Sequence, residues 1–331
     1  MRITALLLAV LSLPASAAEP AAFGYYLHGS AGNAVPAQEP QQGGALLAGG
    51  GNEVDAGYGW LAEQARGGDL VVLRARGEDQ YNEYFAQFGK LDSVETLVVG
   101  SREAANDPFV AKRVLNADAL FIAGGDQANY INFWKGTALG DAIEALLRRR
   151  VAIGGTSAGL AVQGQYDFAA LNDTISTEEA LKDPYQPKLT LDSGFITAPG
   201  LTHTITDSHF SERDRMGRLL AFMARLIVDG KEPAGRLRAI GIDPATTLVV
   251  DGDKARVVGE GAVYFLNANG KPANCRPGQP LRFENVSVIR LKNGDRFDLN
   301  AWKAGDGQPL RYRVSTADGR VWSDRADGGV Y

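Results

Sequence analysis

The run Gly154-Gly155-Thr156-Ser157-Ala158-Gly159 sets a serine between two glycines at the end of an apolar stretch. Residues 151–156 read as a buried strand, and the small residues after Ser157 open a helix. The serine therefore sits on a strand-to-helix turn. A side chain there points out of the carboxyl edge of an open α/β sheet, where ligands bind. Gly155 and Gly159 let the backbone turn sharply without a Cβ clash, and the N–H of Ala158 faces the place where an oxyanion would form. Nucleophilic acyl transfer is the chemistry this spacing offers. An anion-binding helix start and a plain serine N-cap are the competing readings.

A serine nucleophile needs a base, and the chain holds three histidines: His28, His203 and His209. His28 lies in the N-terminal lead-in and His203 has an ordinary setting. His209 stands in Thr206-Asp207-Ser208-His209-Phe210, followed by Arg213, Arg215 and Arg218. It is the expected base, with a structural histidine as the alternative. Ala123-Gly124-Gly125-Asp126-Gln127 ends the strand before that of Ser157, so one of its glycines can supply a second oxyanion donor. Arginine forks suit a substrate carboxylate. Positions 215 and 218 share a helix face, whereas 213 and 215 do not, so one or two of the three are expected to face the substrate.

These residues need a scaffold, and short β-branched runs alternate with amphipathic stretches before them. Strands are expected over 43–51, 69–75, 94–100, 119–125 and 151–156. Helices are expected over 54–65, 81–90, 108–117 and 129–149. Continuous apolar strands in serial βα units predict a mostly parallel sheet with helices on both faces. From about residue 235 the texture becomes strands joined by Gly, Asp and Asn turns. The expected organisation is a lead-in without regular structure over 18–42, an α/β catalytic domain over 43–250 and a β-rich extension over 251–331. That extension offers core support, a homodimer contact or a polymer-binding face, and core support is the preferred reading.

Composition closes off other classes. The 331 residues are 45% hydrophobic and 22% charged, as in soluble globular proteins, and the net charge of −5 gives no footprint for nucleic acid or an anionic membrane. A single cysteine excludes an internal disulfide and Cys-rich metal sites. Neither H-E-x-x-H nor EF-hand spacing occurs, so no metal and no cofactor is expected. Arg2, an apolar run over 3–13 and Ala15-Ser16-Ala17 form a charged, apolar and A-x-A series, read as a secretory signal over 1–17. A periplasmic or secreted protein is expected. An α/β-hydrolase esterase fits poorly, because no histidine follows His209. A binding protein on a retired enzyme scaffold would be expected to have lost the serine, the histidine or the glycines.

Gly124–Gln127, Gly154–Gly159 and Asp207–Leu219 (DSHFSERDRMGRL) together resemble the cyanophycinase and aspartyl dipeptidase family of serine peptidases. The likeness covers about residues 43–250 and is nearer the cyanophycinase branch. It implies a class I glutamine-amidotransferase-like, flavodoxin-like fold and a substrate with an aspartyl residue at the scissile bond. In cyanophycinases that substrate is the β-linked Asp-Arg polymer cyanophycin. The resemblance further implies Ser157 as nucleophile, His209 as base, and Gly125 and Ala158 as oxyanion donors. Gln127, Asp207, Arg213, Arg215 and Arg218 would line or buttress the substrate pocket. Glu179 is the first choice for the acid of the triad, with Glu178, Asp173 and Asp243 as alternatives. Ser208 stands where cyanophycinases usually carry glutamine, which bears on polymer specificity.

Overall fold

The computed structural model describes residues 22–32 and 43–331. The signal read over 1–17 and most of the lead-in lie outside those residues. In chain order the first elements are β1 (Gly24–Gly29), β2 (Gly44–Ala48), α1 (Asp55–Gln64), β3 (Asp69–Arg74), α2 (Asn82–Ala86) and β4 (Ser93–Val98). There follow α3 (Arg102–Ala105), α4 (Pro108–Leu115), β5 (Ala119–Ile122), α5 (Gln127–Trp134), α6 (Ala138–Arg148), β6 (Ala152–Thr156) and α7 (Ala158–Ala161). Next come β7 (Tyr166–Phe168), α8 (Thr177–Lys182), β8 (Leu191–Ser193), β9 (Thr204–Asp207), α9 (Met216–Val228), β10 (Arg238–Ile242) and β11 (Thr246–Asp251). The remainder is all strand: β12 (Lys254–Gly259), β13 (Ala262–Asn267), β14 (Phe283–Lys292), β15 (Arg296–Asp298), β16 (Lys303–Ala304), β17 (Leu310–Ala317) and β18 (Arg320–Ser323).

Among the described residues these strands make two mixed sheets. The first runs β1-β4-β3-β5-β6-β2-β11-β12-β15-β16, and the second runs β18-β17-β14-β13-β10-β9-β7-β8. The five strands β4, β3, β5, β6 and β2 are parallel, as their unbroken apolar runs require. Outside that centre the pairing turns antiparallel: β1 on β4 at one side, and β11, β12, β15 and β16 in succession at the other. In the second sheet only β7, β9 and β10 are parallel neighbours. The expected mostly parallel sheet is thus corrected to a parallel centre inside mixed sheets. The reason lies in the connections: the two-residue hairpin at Gly252-Asp253 can only return antiparallel.

Alternation along the parallel strands separates the two faces of the first sheet. Leu46, Leu70, Val72 and Phe121 pack with Tyr58, Leu61 and Phe85 of α1 and α2. Leu47, Val71, Leu73 and Ile122 pack with Val110, Trp134, Ile143 and Leu146 of α4, α5 and α6. The same core continues into Ile240, Ile242, Val263 and Phe265, so one face of the second sheet closes on the first. Its other face carries α8 and α9, whose Leu219, Leu220, Phe222 and Met223 are buried against β9, β10 and β13. Residues 251–331 therefore contribute strands to both sheets and side chains to all three apolar clusters.

Two local expectations change. Residues 24–29 in the lead-in form a strand, because Tyr25 inserts its ring against Phe109 while its hydroxyl reaches Glu95. The helical pattern over 129–149 divides into α5 and α6. Lys135 leaves the helix in an extended conformation, Gly136 has φ +65°, and Thr137 caps α6 through the N–H of Gly140. No helix among the described residues is long and apolar enough to cross a membrane.

Candidate active site

Ser157 joins β6 to α7 with φ 52° and ψ −110°, a conformation that costs a non-glycine residue energy and persists only when its surroundings fix it. They do so here by close packing. A Cβ on Gly159 would lie 2.1 Å from the Ile122 carbonyl oxygen, and one on Gly155 would lie 2.5 Å from that of Gly159. The Ser157 N–H donates to the Ala48 carbonyl, which ties the turn to the neighbouring strand. The N–H of Ala158, first residue of α7, belongs to the first turn, where helix N–H groups lack helical partners. The loop after β5 brings Gly124 alongside, the position of its Cβ being 3.5 Å from that of Ser157. Tyr130 donates to the carbonyls of Ala123 and Gly124, holding that loop against α5.

His209 arrives from the second sheet, on the turn between β9 and α9. Its Nε2 lies 3.0 Å from Ser157 Oγ. Its Nδ1 lies 2.9 Å from a carboxylate oxygen of Glu212, three residues along the same turn. A carboxylate only accepts, so Nδ1 carries the hydrogen and Nε2 is free to accept from the serine hydroxyl. The ring lies against Gly50 so closely that a Cβ there would be 2.2 Å from Nε2, and Gly50 has φ +92°. The His209 N–H donates to the Gly49 carbonyl. Burial holds the imidazole below the ordinary value of 6.5; the Glu212 hydrogen bond opposes this, and the charges of Arg213 and Arg215 add to it.

Glu179, expected to orient the imidazole, is used elsewhere. Its carboxylate accepts from the Ser176 N–H to close a capping box at the start of α8, and it pairs with Lys188 at 3.0 Å. Asp173 lies 3.9 Å from Lys188 on the same rim. Asp243 supports the histidine turn from beneath: its carboxylate accepts the N–H groups of Ser211 and Ala262. Glu178 is the residue next to Glu179 in the first turn of α8. The carboxylate on the ring is Glu212, which sequence reasoning passed over. Its i+3 spacing from His209 on a turn was the available signal, hidden by its place among the arginines.

A cleft of about 710 Å³ opens beside Ser157, lined by Gly125, Gln127, Ser208, Arg213, Arg215 and Arg218 among others. Asp207 anchors its cationic wall. Arg218 binds it through two hydrogen bonds of 2.8 and 2.6 Å, and Arg215 adds a third at 3.2 Å. Both Asp207 and Arg218 are buried. Arg218 also lies over the rings of Phe168 and Phe222, and it donates to Thr174 and Ile175. Arg215 precedes α9 rather than sharing a helical face with Arg218, and it donates to the Ser208 carbonyl. Burial pushes its guanidinium down to about 10, with Asp207 opposing. Two arginines against one carboxylate leave a net positive wall. Arg213 stands at the mouth, half exposed, 3.7 Å from Glu212. Gln127 donates to the Phe168 carbonyl from the start of α5.

Comparisons with known proteins give the family of the chain. A model described as Peptidase family S51 matches residues 75–258, which include the Ser157 turn, the loop at Gly125 and the His209–Glu212 turn. A cyanophycinase of Geminocystis herdmanii is 30% identical over 229 residues, covering 66% of this chain and 76% of that protein. A cyanophycinase of Trichormus variabilis is 29% identical over 227 residues, covering 66% and 70%. The crystal structure of a peptidase from an acI-B1 Actinobacterium is similar in fold, with TM-score 0.51 and 18% identity over 77% of this chain and 96% of that one. With more than half the chain matched and the serine and histidine in contact, the chain belongs to peptidase family S51 and is a serine peptidase.

Proposed function

We propose that the chain hydrolyses aspartyl isopeptide bonds through an acyl-enzyme on Ser157, and that cyanophycin, cleaved to β-Asp-Arg units, is its substrate. The observation that carries the chemistry is the Ser157–His209–Glu212 chain of contacts at 3.0 and 2.9 Å. His209 takes the hydroxyl proton as Oγ attacks the aspartyl carbonyl, and Glu212 stabilises the imidazolium that forms. The N–H groups of Gly125 and Ala158 hold the oxyanion, one such donor being worth about 3–4 kcal/mol. His209 then protonates the leaving amine, and water releases the aspartyl product. The free carboxylate beside the scissile carbonyl docks on Arg215, whose fork keeps donors to spare after its bonds to Asp207 and Ser208. The cyanophycinase names of the relatives support the polymer as substrate.

Short aspartyl peptides are the second reading. Ser208, with its short side chain on the cleft wall, favours it by leaving out a longer amide there. Purified mature protein and Ser157→Ala are to be incubated with cyanophycin while β-Asp-Arg is followed chromatographically. Release by the wild type alone is expected. No release by either, together with cleavage of α- or β-aspartyl dipeptides, would replace the polymer reading by the second one. Residues 1–17 are proposed to direct export, so protein recovered from the periplasm is expected to begin at Ala18.

A further inference from the structure

The turn that carries His209 and Glu212 is held by a residue far from it in sequence. Tyr331 donates its hydroxyl to a carboxylate oxygen of Asp214 at 2.9 Å, and its phenol oxygen accepts the Met216 N–H at 2.8 Å. One phenol thus closes the end of the turn and caps the first turn of α9. Its ring stands edge-on to Phe210 and Tyr264, at 5.8 and 5.9 Å between centroids. Phe210 is the residue after His209 and is fully buried, and a Cβ on Gly241 would touch its ring at 2.6 Å. The segment before Tyr331 is itself fastened: Tyr312 donates to the Val330 carbonyl, and Arg325 donates to that of Tyr331.

We propose that Tyr331 is a positioning residue for catalysis, acting by fixing the 210–214 turn on which Glu212 meets His209. This rests on the assignment of Ser157, His209 and Glu212 as the reacting set. Glu212 has no scaffold of its own. Its side chain is 53% exposed, and among the described residues its carboxylate pairs only with His209 and, at 3.7 Å, Arg213, so the turn backbone decides where that carboxylate sits. Asp214 has φ +49°, a left-handed conformation that needs outside support in a residue other than glycine. Thr177 supplies part of it by donating to the Asp214 carbonyl, and Tyr331 supplies the side-chain part. Tyr331 lies beyond the residues matched to the peptidase family, which end at 258. The late β-rich segment therefore reaches back to the catalytic turn.

The test is a double-mutant cycle between Tyr331→Phe and Glu212→Gln, in full-length protein whose melting curve shows that it remains folded. Two rates are read: β-Asp-Arg release from cyanophycin, and phosphonylation of Ser157 by a fluorophosphonate, which needs no knowledge of the natural substrate. Tyr331→Phe is expected to lower kcat and the phosphonylation rate between about tenfold and a hundredfold, with KM changed less than about twofold. In the Glu212→Gln background the same change should cost less than about twofold, because the group it positions is already lost. Asp214→Asn should reproduce Tyr331→Phe and guards against a folding defect peculiar to residue 331. Rates of Tyr331→Phe within twofold of wild type, or losses that multiply in the double variant, would overturn the proposal. Ser157→Ala separates this from failure of the site itself: a Ser157→Ala protein that still turns over removes the reacting set, and with it the role of Tyr331.

Discussion

The Ser157 elbow and the His209 turn meet at one hydrogen bond but are built in opposite ways. The elbow is local: strand, serine and helix follow one another within ten residues, and Gly155 and Gly159 allow neighbouring backbone to press against it. The histidine turn is assembled from a distance. Gly50 lies against the ring, the Gly49 carbonyl accepts the His209 N–H, Asp243 holds Ser211, Thr177 holds the Asp214 carbonyl, and Tyr331 holds the Asp214 side chain. A nucleophile on an elbow is made by its own segment. A base on a turn is made by the rest of the fold, so it is the more easily disturbed without any change in its own motif.

Glu212→Gln is expected to have the largest effect on that contrast. The amide cannot stabilise an imidazolium as a carboxylate does, and kcat should fall between about a hundredfold and ~10⁴-fold. Glu179→Gln, on the rim, should stay within about threefold, with a stability change near the ~0–1 kcal/mol of an exposed ion pair. Equal losses in the two variants would refute the assignment of Glu212. Their pH profiles sharpen the point. His209 must be neutral to accept a proton, so activity appears as pH rises through its pKa, and the wild-type acid limb should have its midpoint below 6.5. Glu212 raises that pKa, so Glu212→Gln should move the midpoint lower still, and an upward movement would contradict the contact.

Gly159→Ala breaks the elbow instead. The added methyl meets the Ile122 carbonyl at 2.1 Å, so the backbone must shift by a sizeable fraction of an ångström. A displacement near 1 Å costs about a hundredfold in kcat, checked by kinetics beside a thermal melt. Retained kcat would show that the elbow has slack that this packing does not suggest. Asp243→Asn makes a smaller change than Gly159→Ala. It keeps an oxygen for Ser211 or Ala262 but not for both on their present terms, leaving a buried N–H short of a partner at about 1–3 kcal/mol. It should lower Tm by a few degrees and kcat by no more than about tenfold. A larger kinetic loss would move Asp243 from support of the turn to the chemistry.

Where reading the sequence succeeded and failed follows the same division. The Gly-Thr-Ser-Ala-Gly run, the β5 loop at Gly125 and the single plausible histidine were legible because their signals are contiguous. The parallel centre was legible too, since continuous apolar strands need cover on both faces. The acid was misplaced because Glu179 and Glu212 look alike in one dimension. Each lies in an ordinary polar stretch, and only the direction of the turn brings one carboxylate to Nδ1 while a capping box and Lys188 occupy the other. One or two of the three arginines were expected to face the substrate, whereas all three line the cleft in different ways. Burial on Asp207 makes Arg218 a wall element and leaves Arg213 at the mouth.

The amino-acid sequence by itself determined the elements set by nearest neighbours: buried strands, capped helices, the strained serine turn and the class of chemistry that such a turn performs. The tertiary structure alone decided which carboxylate meets the histidine and how each arginine of the cleft is held. It also decided how residues near position 331 come to hold a turn near position 210. Those choices depend on contacts between segments separated by tens to more than a hundred residues. Such contacts exist only once the two mixed sheets have closed on their shared core, and no local pattern encodes them.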